Sequence, residues 1–165
     1  MKAPFATFAA YNAWANARLY ASLAPVPPED LARDLGAFFG SILVTLNHVM
    51  VADLIWLARF RGQRPPPFAL DHVLHDDLAE LSAARRVLDA DVAAYVDGLD
   101  AAALAGRFAY LRASTGERLE EPLMPALAHL FNHQTHHRGQ AHAMLTRLGH
   151  RAPALDLIYF AREAG

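Results

Sequence analysis

Apolar residues recur at every third or fourth position along most of this chain, and that period predicts helices. Over residues 4–23 the face is marked by Phe5, Phe8, Tyr11, Ala15 and Leu19; Pro4 suits a first turn, and Pro25, Pro27 and Pro28 stop the run. Trp14 reads as ordinary packing and Asn12 as a hydrogen bond to another helix. A polar linker over 29–35 ends at Gly36. The second helix, 38–60, is apolar on nearly every side, which places it at the bundle centre or at an interface. The stiff break around Pro65, Pro66 and Pro67 precedes a third helix over 71–96, with Asp71 as N-cap and Gly98 as its end. Its first turn carries His72 and His75, read as solvated. Residues 99–121 lose the helical period. Phe108 to Arg112 alternate weakly and Ser114, Thr115 and Gly116 suggest a turn, so an ordered loop or short hairpin is expected, of a length that often covers a site. A fourth helix runs from Pro122 to Gly149, and a last short one, 155–163, docks through Leu157, Ile158 and Phe160. The expected fold is all-α, one domain: a four-helix bundle of up-down-down-up type with a short C-terminal helix.

The fourth helix carries the most informative stretch, Phe131-Asn132-His133-Gln134-Thr135-His136-His137-Arg138-Gly139-Gln140. At about 100° per residue, His133 and His137 stack on one face and can reach a common point. The stripe of Leu123, Leu127, Leu130, Ala141, Met144, Leu145 and Leu148 contains His137 and has His133 at its edge. A buried imidazole nitrogen without a partner costs roughly 1–3 kcal/mol, so two such rings ask for something that satisfies both. His136 points outward, His129 drifts toward solvent and His142 lies on the far flank. In the second helix His48 has only Ser41 and Thr45 as polar helical neighbours. It needs a partner from elsewhere, either a main-chain carbonyl or an ion shared with other histidines.

Composition narrows the chemistry. The chain has 165 residues, enough to bury one sizeable core, and no cysteine. Any metal must therefore use histidine, carboxylate or water, and a reducing cytoplasm is the default compartment. Gln134 stands where a metalloprotease H-E-x-x-H motif has its glutamate, so no base is built in. Hydrophobic residues make up 54% and charged residues 19%, which suggests that a second copy covers part of the surface as a homodimer. A net charge of −2 without a basic stripe argues against nucleic acid. Tyr11, Asn12 and Asn16 interrupt any signal-peptide core, and no stretch is read as a membrane span.

The chain resembles the DinB-like (damage-inducible, YfiT-like) family of metal-binding four-helix bundles along its whole length. The matching pieces are Tyr11-Asn12-Ala13-Trp14-Ala15-Asn16, Asn47-His48 with Asp53 and Trp56, His133 to Gln140, and Leu155-Asp156-Leu157-Ile158. The resemblance implies a triad of His48, His133 and His137 on a divalent cation such as zinc or nickel, and frequent dimers. The wider superfamily includes S-transferases and isomerases that use a low-molecular-weight thiol, so a small-molecule substrate is expected. Three protein ligands leave a coordination position open, as in catalytic sites. Asn47, Asp53 and Gln140 are candidates to orient the ligand rings. The alternative is a metal-binding or stress-response protein without turnover, in which the ion is structural.

Overall fold

The computed structural model describes residues 2–112 and 115–164. Along the chain these form α1 (Lys2–Leu23), α2 (Pro28–Leu31), α3 (Ile42–Phe60), α4 (Leu78–Gly98), α5 (Ala101–Ala105), β1 (Arg107–Leu111), β2 (Arg118–Pro122), α6 (Leu123–Arg147) and α7 (Leu157–Ala164).

The four long helices close a ring. α1 packs on α4 and α6, and α3 packs on the same two, so α1 and α3 sit diagonally although they follow one another among the long helices. The core between them holds Leu19, Leu23, Ile42, Leu81, Leu127, Leu130 and Leu145, all essentially inaccessible. α3 is long and apolar enough to cross a membrane, contrary to the expectation that no stretch would be, but most of its apolar window is buried inside the bundle. The helix ends follow local chemistry. The Ser41 side chain accepts from the Val44 N–H at 3.2 Å and starts α3. Gly149, at φ +83°, ends α6 with the paired bonds Gly149 N–H to Thr146 O (3.0 Å) and His150 N–H to Leu145 O (3.2 Å).

Two helix starts differ from expectation. The second helix begins at Ile42 rather than 38, because Gly40 adopts φ +73° and closes a tight turn with Ala37. The third begins at Leu78, capped by Asp77 rather than Asp71; its side chain accepts from the Glu80 N–H at 2.9 Å. Residues 61–77 instead form a strap laid over α3. The Asn47 Oδ1 accepts from the N–H groups of Leu74 (2.8 Å) and His75 (3.0 Å), and its Nδ2 donates to the His75 carbonyl at 2.9 Å. A side chain thus takes the bonds that a helical turn there would need. The linker over 29–35 contains α2, begun by Pro28, and the irregular stretch contains α5, capped by Asp100.

The hairpin between the third and fourth long helices is present. β1 and β2 pair antiparallel with Phe108 opposite Glu121 and Tyr110 opposite Leu119. Phe108 lies against Phe60 at 5.1 Å between ring centroids, and Tyr110 against Trp56 at 6.1 Å, so the hairpin rests on the end of α3. Ser114, expected in its turn, lies outside the described residues. At the C-terminus Phe160 docks on Tyr11 and Trp14, whereas Leu157 and Ile158, expected to dock as well, remain exposed.

Candidate metal centre

α3 and α6 face each other and bring His48, His133 and His137 together. One ring nitrogen of each lies within 4.8 Å of the others, and among the described residues this is the group of histidine and carboxylate side chains arranged to hold an ion. His48 Nε2 and His133 Nε2 are 3.2 Å apart. Two nitrogens bound to one tetrahedral ion at about 2.0–2.1 Å would be roughly 3.3 Å apart, so this spacing already suits a shared cation.

The outward nitrogens fix the tautomers. His48 Nδ1 lies 2.7 Å from the Leu70 carbonyl, which only accepts, so this nitrogen carries the proton. His137 Nδ1 likewise donates to Gln140 Oε1 at 2.7 Å, and the Gln140 amide nitrogen donates to His136 Nε2 at 3.2 Å. Both Nε2 atoms are therefore bare lone pairs directed at the cluster. A single proton could bridge His48 and His133 but would leave His137 unserved, whereas a cation serves all three. Burial is the main reason that the three rings titrate below the ordinary histidine value; for His133, burial together with the neighbouring His137 and His48 pushes it down to about 3. At neutral pH all three are uncharged, the form that binds metal. His133 Nδ1 has no partner among the described residues.

The surroundings are apolar. Phe39 stacks on the His48 ring at 3.9 Å and meets His137 edge-on at 5.6 Å. Phe38 meets Phe39 at 4.9 Å and is itself exposed. Among the described residues no carboxylate bonds the three rings, in keeping with Gln134 at the position after His133. His129 and His136 are exposed, as their wheel positions required.

The proposed orienting residues divide. Gln140 touches a ligand ring directly. Asn47 touches none, but holds the strap whose Leu70 carbonyl orients His48. Asp53, the third candidate, is fully buried and binds Arg85 of α4 at 2.5 Å; among the described residues it makes no hydrogen bond to the rings.

Sequence reasoning missed a second buried polar cluster that joins all four long helices. Arg85 contacts Asp53 and lies 2.9 Å from Asp89, close enough for an ion pair but without hydrogen-bond alignment. Asn12 and Asn16 each donate to Asp89 at 3.1 Å, and both accept from Arg138. Asn16 also donates to Gln134 at 3.3 Å. Gln134 and Arg138 each follow a triad histidine by one position, so this cluster fixes the rotation of α6 that points His133 and His137 at α3. The signal was legible: Arg85 and Asp89 fall on the stripe of Leu81, Leu88 and Val92.

The sequence model of the DinB family matches residues 1–164. Protein DinB of Bacillus subtilis (strain 168) is 27% identical over 160 residues, covering 88% of this chain and 87% of its own. A crystal structure of a DinB-like protein from Bacillus cereus ATCC 10987 superposes with a TM-score of 0.63 at 20% identity, over 86% of this chain and 90% of that one, which shows the shared fold.

Proposed function

This chain belongs to the DinB family, and from that premise we propose that it holds a divalent cation, zinc or nickel, on His48, His133 and His137 and acts as an S-transferase on a small thiol. The observation that carries the metal is the convergence of bare imidazole nitrogens, with the Nδ1 protons of His48 and His137 turned outward onto Leu70 and Gln140. When bound, the cation supplies Lewis acidity that lowers the pKa of a thiol at the open position. The protein's own contribution is orientation through Leu70 and Gln140, and exclusion of water by Phe39. Among the described residues no side-chain base bonds the cluster, so the proton of a bound thiol would have to pass out through the half-open side of the site. The thiol chemistry itself rests on the family resemblance. Its test is turnover of a generic electrophile by metal-loaded protein across a panel of low-molecular-weight thiols. A rate that disappears in His48→Ala is expected; a rate equal to that of the variant for every thiol would refute the transferase.

A structural role for the ion is favoured by one feature: the triad links α3 to α6, so an ion there clamps two of the four long helices. Chelation then lowers the melting temperature, and an unchanged melt removes this reading. We also propose a homodimer, from the apolar composition and the exposed Phe38, Leu70 and Val87; a monomer by light scattering would contradict it.

A further inference from the structure

The seam between α3 and α6 continues beyond the triad. One turn before His133 on α6, His129 lies 5.7 Å from the His133 ring and 5.1 Å from the Trp56 ring of α3. Trp56 in turn meets Tyr110 of the hairpin at 6.1 Å. The Arg59 guanidinium sits over both of these rings, 4.8 Å from Trp56 and 4.5 Å from Tyr110. His48 and Arg59 are eleven residues apart on one helix, so they share a face to within about 20° and stand about 16 Å apart along it. Ala52 and Ile55, between them on that face, are apolar. Helical side chains lean back toward the N-terminus, and Arg59 does so onto Trp56, which leaves roughly 11 Å between its guanidinium and the triad.

Arg59 is half-buried yet unmatched. The other arginines that are not exposed have side-chain partners: Glu163 for Arg18, Asp53 for Arg85, and Asn12 and Asn16 for Arg138. Among the described residues Arg59 has neither a hydrogen bond nor a carboxylate partner. Its Nε–H is sealed off, but its two Nη groups are not, so a molecule lying along the seam can reach them. Burial pushes its pKa down, and Tyr110 rather than any carboxylate opposes that shift. A planar fork held by two rings, with open Nη groups and no counter-charge, suits a carboxylate, which takes two parallel hydrogen bonds from it.

We propose that Arg59 sets the specificity of the metal centre by taking the carboxylate of an elongated ligand whose other end, a thiol, lies at the triad. The thiol end rests on the function proposed above; the carboxylate end rests on Arg59.

The test uses the full chain in two forms. Loaded with cobalt, its visible absorption reports a bound thiolate. Free of metal, its Arg59 Nε–H resonance reports the far end alone. Three probes carry a thiol on an eight-carbon chain that ends in a carboxylate, a hydroxyl or an amine: mercaptooctanoate, mercaptooctanol and aminooctanethiol. Mercaptooctanoate is expected to bind the cobalt form about ten-fold more tightly than mercaptooctanol, and alone of the three to shift the Arg59 resonance. Arg59→Gln should remove that advantage and leave mercaptooctanol binding as before; Arg59→Lys should restore part of it. A carboxylate advantage that survives in Arg59→Gln, or an equal loss for all three probes, would overturn the assignment, the second result marking Arg59 as a brace for the hairpin. A cobalt spectrum that responds equally to the three probes refutes the carboxylate site and leaves the thiol reading standing. A shift of the Arg59 resonance by mercaptooctanoate with no change at cobalt upholds the carboxylate site and refutes the thiol end. Silence in both readouts refutes both.

Discussion

At the scale of single residues, proton placement decides what the triad can do. His48 and His137 donate outward through Nδ1, so their inner nitrogens are free for an ion. Gln140→Leu removes the acceptor that fixes His137, and zinc affinity should fall about 10–100-fold in a competition titration, the usual cost of losing such an orienting partner. The depressed titration of the rings gives a pH dependence with a definite sign. In the unfolded chain a histidine takes up its proton near 6.5, whereas folded His133 resists protonation to about 3. As pH falls through that window the unfolded state binds more of the histidine protons, so His133 should cost the metal-free protein stability below about pH 6.5, offset in part below about pH 6 by Asp53, whose carboxyl burial raises to about 6. Urea midpoints across pH for the metal-free protein check this, and His133→Phe should flatten the slope. The pair His133 and His137 was legible because a four-residue spacing on one apolar stripe is a local property. The contact of Gln140 with His137 was legible for the same reason, since the two lie three residues apart on one helix. That of Asp53 was not, because which neighbour a helix face meets is settled by the tertiary fold.

At the scale of elements, the long helices could be read and the strap could not. The periods of α1, α3 and α6 are set by residues a turn apart, and prolines or glycines mark their ends. The late start of α4 depends instead on Asn47, from α3, capturing the backbone of Leu74 and His75. No pattern within 61–77 announces this. The short helices α2 and α5 are each about one turn, too brief for periodicity to show. Asn47→Ala should free the strap: hydrogen exchange at residues 70–75 should rise sharply while α4 and α6 keep their protection, and zinc affinity should weaken because His48 loses its fixed carbonyl. Unchanged exchange in that segment would show that the strap is held by other contacts.

At the scale of the whole molecule, two polar systems lie inside one apolar bundle. The triad ties α3 to α6, and the cluster of Asp53, Arg85, Asp89 and Arg138, with Asn12 and Asn16, ties all four long helices. The cluster balances two cations with two carboxylates, which makes it tolerable in the core. Removing one member upsets that balance. Arg85→Met leaves two buried carboxylates facing each other without their shared cation and should cost about 3–5 kcal/mol, read as a lowered urea midpoint. Of this system the sequence disclosed only Asn12 as a partner of another helix. Arg85 and Asp89 stood one turn apart on a buried stripe, but their remaining partners are far away in the chain, Asp53 for Arg85 and Asn12 and Asn16 for Asp89, and only the closed ring of helices brings them together.

The whole account depends on an ion shared by the second and fourth long helices. Elemental analysis of protein purified without a histidine tag, for the unaltered chain and for His137→Ala, tests this most directly. The account predicts one equivalent of a divalent transition metal per chain in the first and nearly none in the second, with both folded by circular dichroism. Equal metal content in the two, or no metal retained by the unaltered chain after equilibration with zinc and nickel, would contradict it.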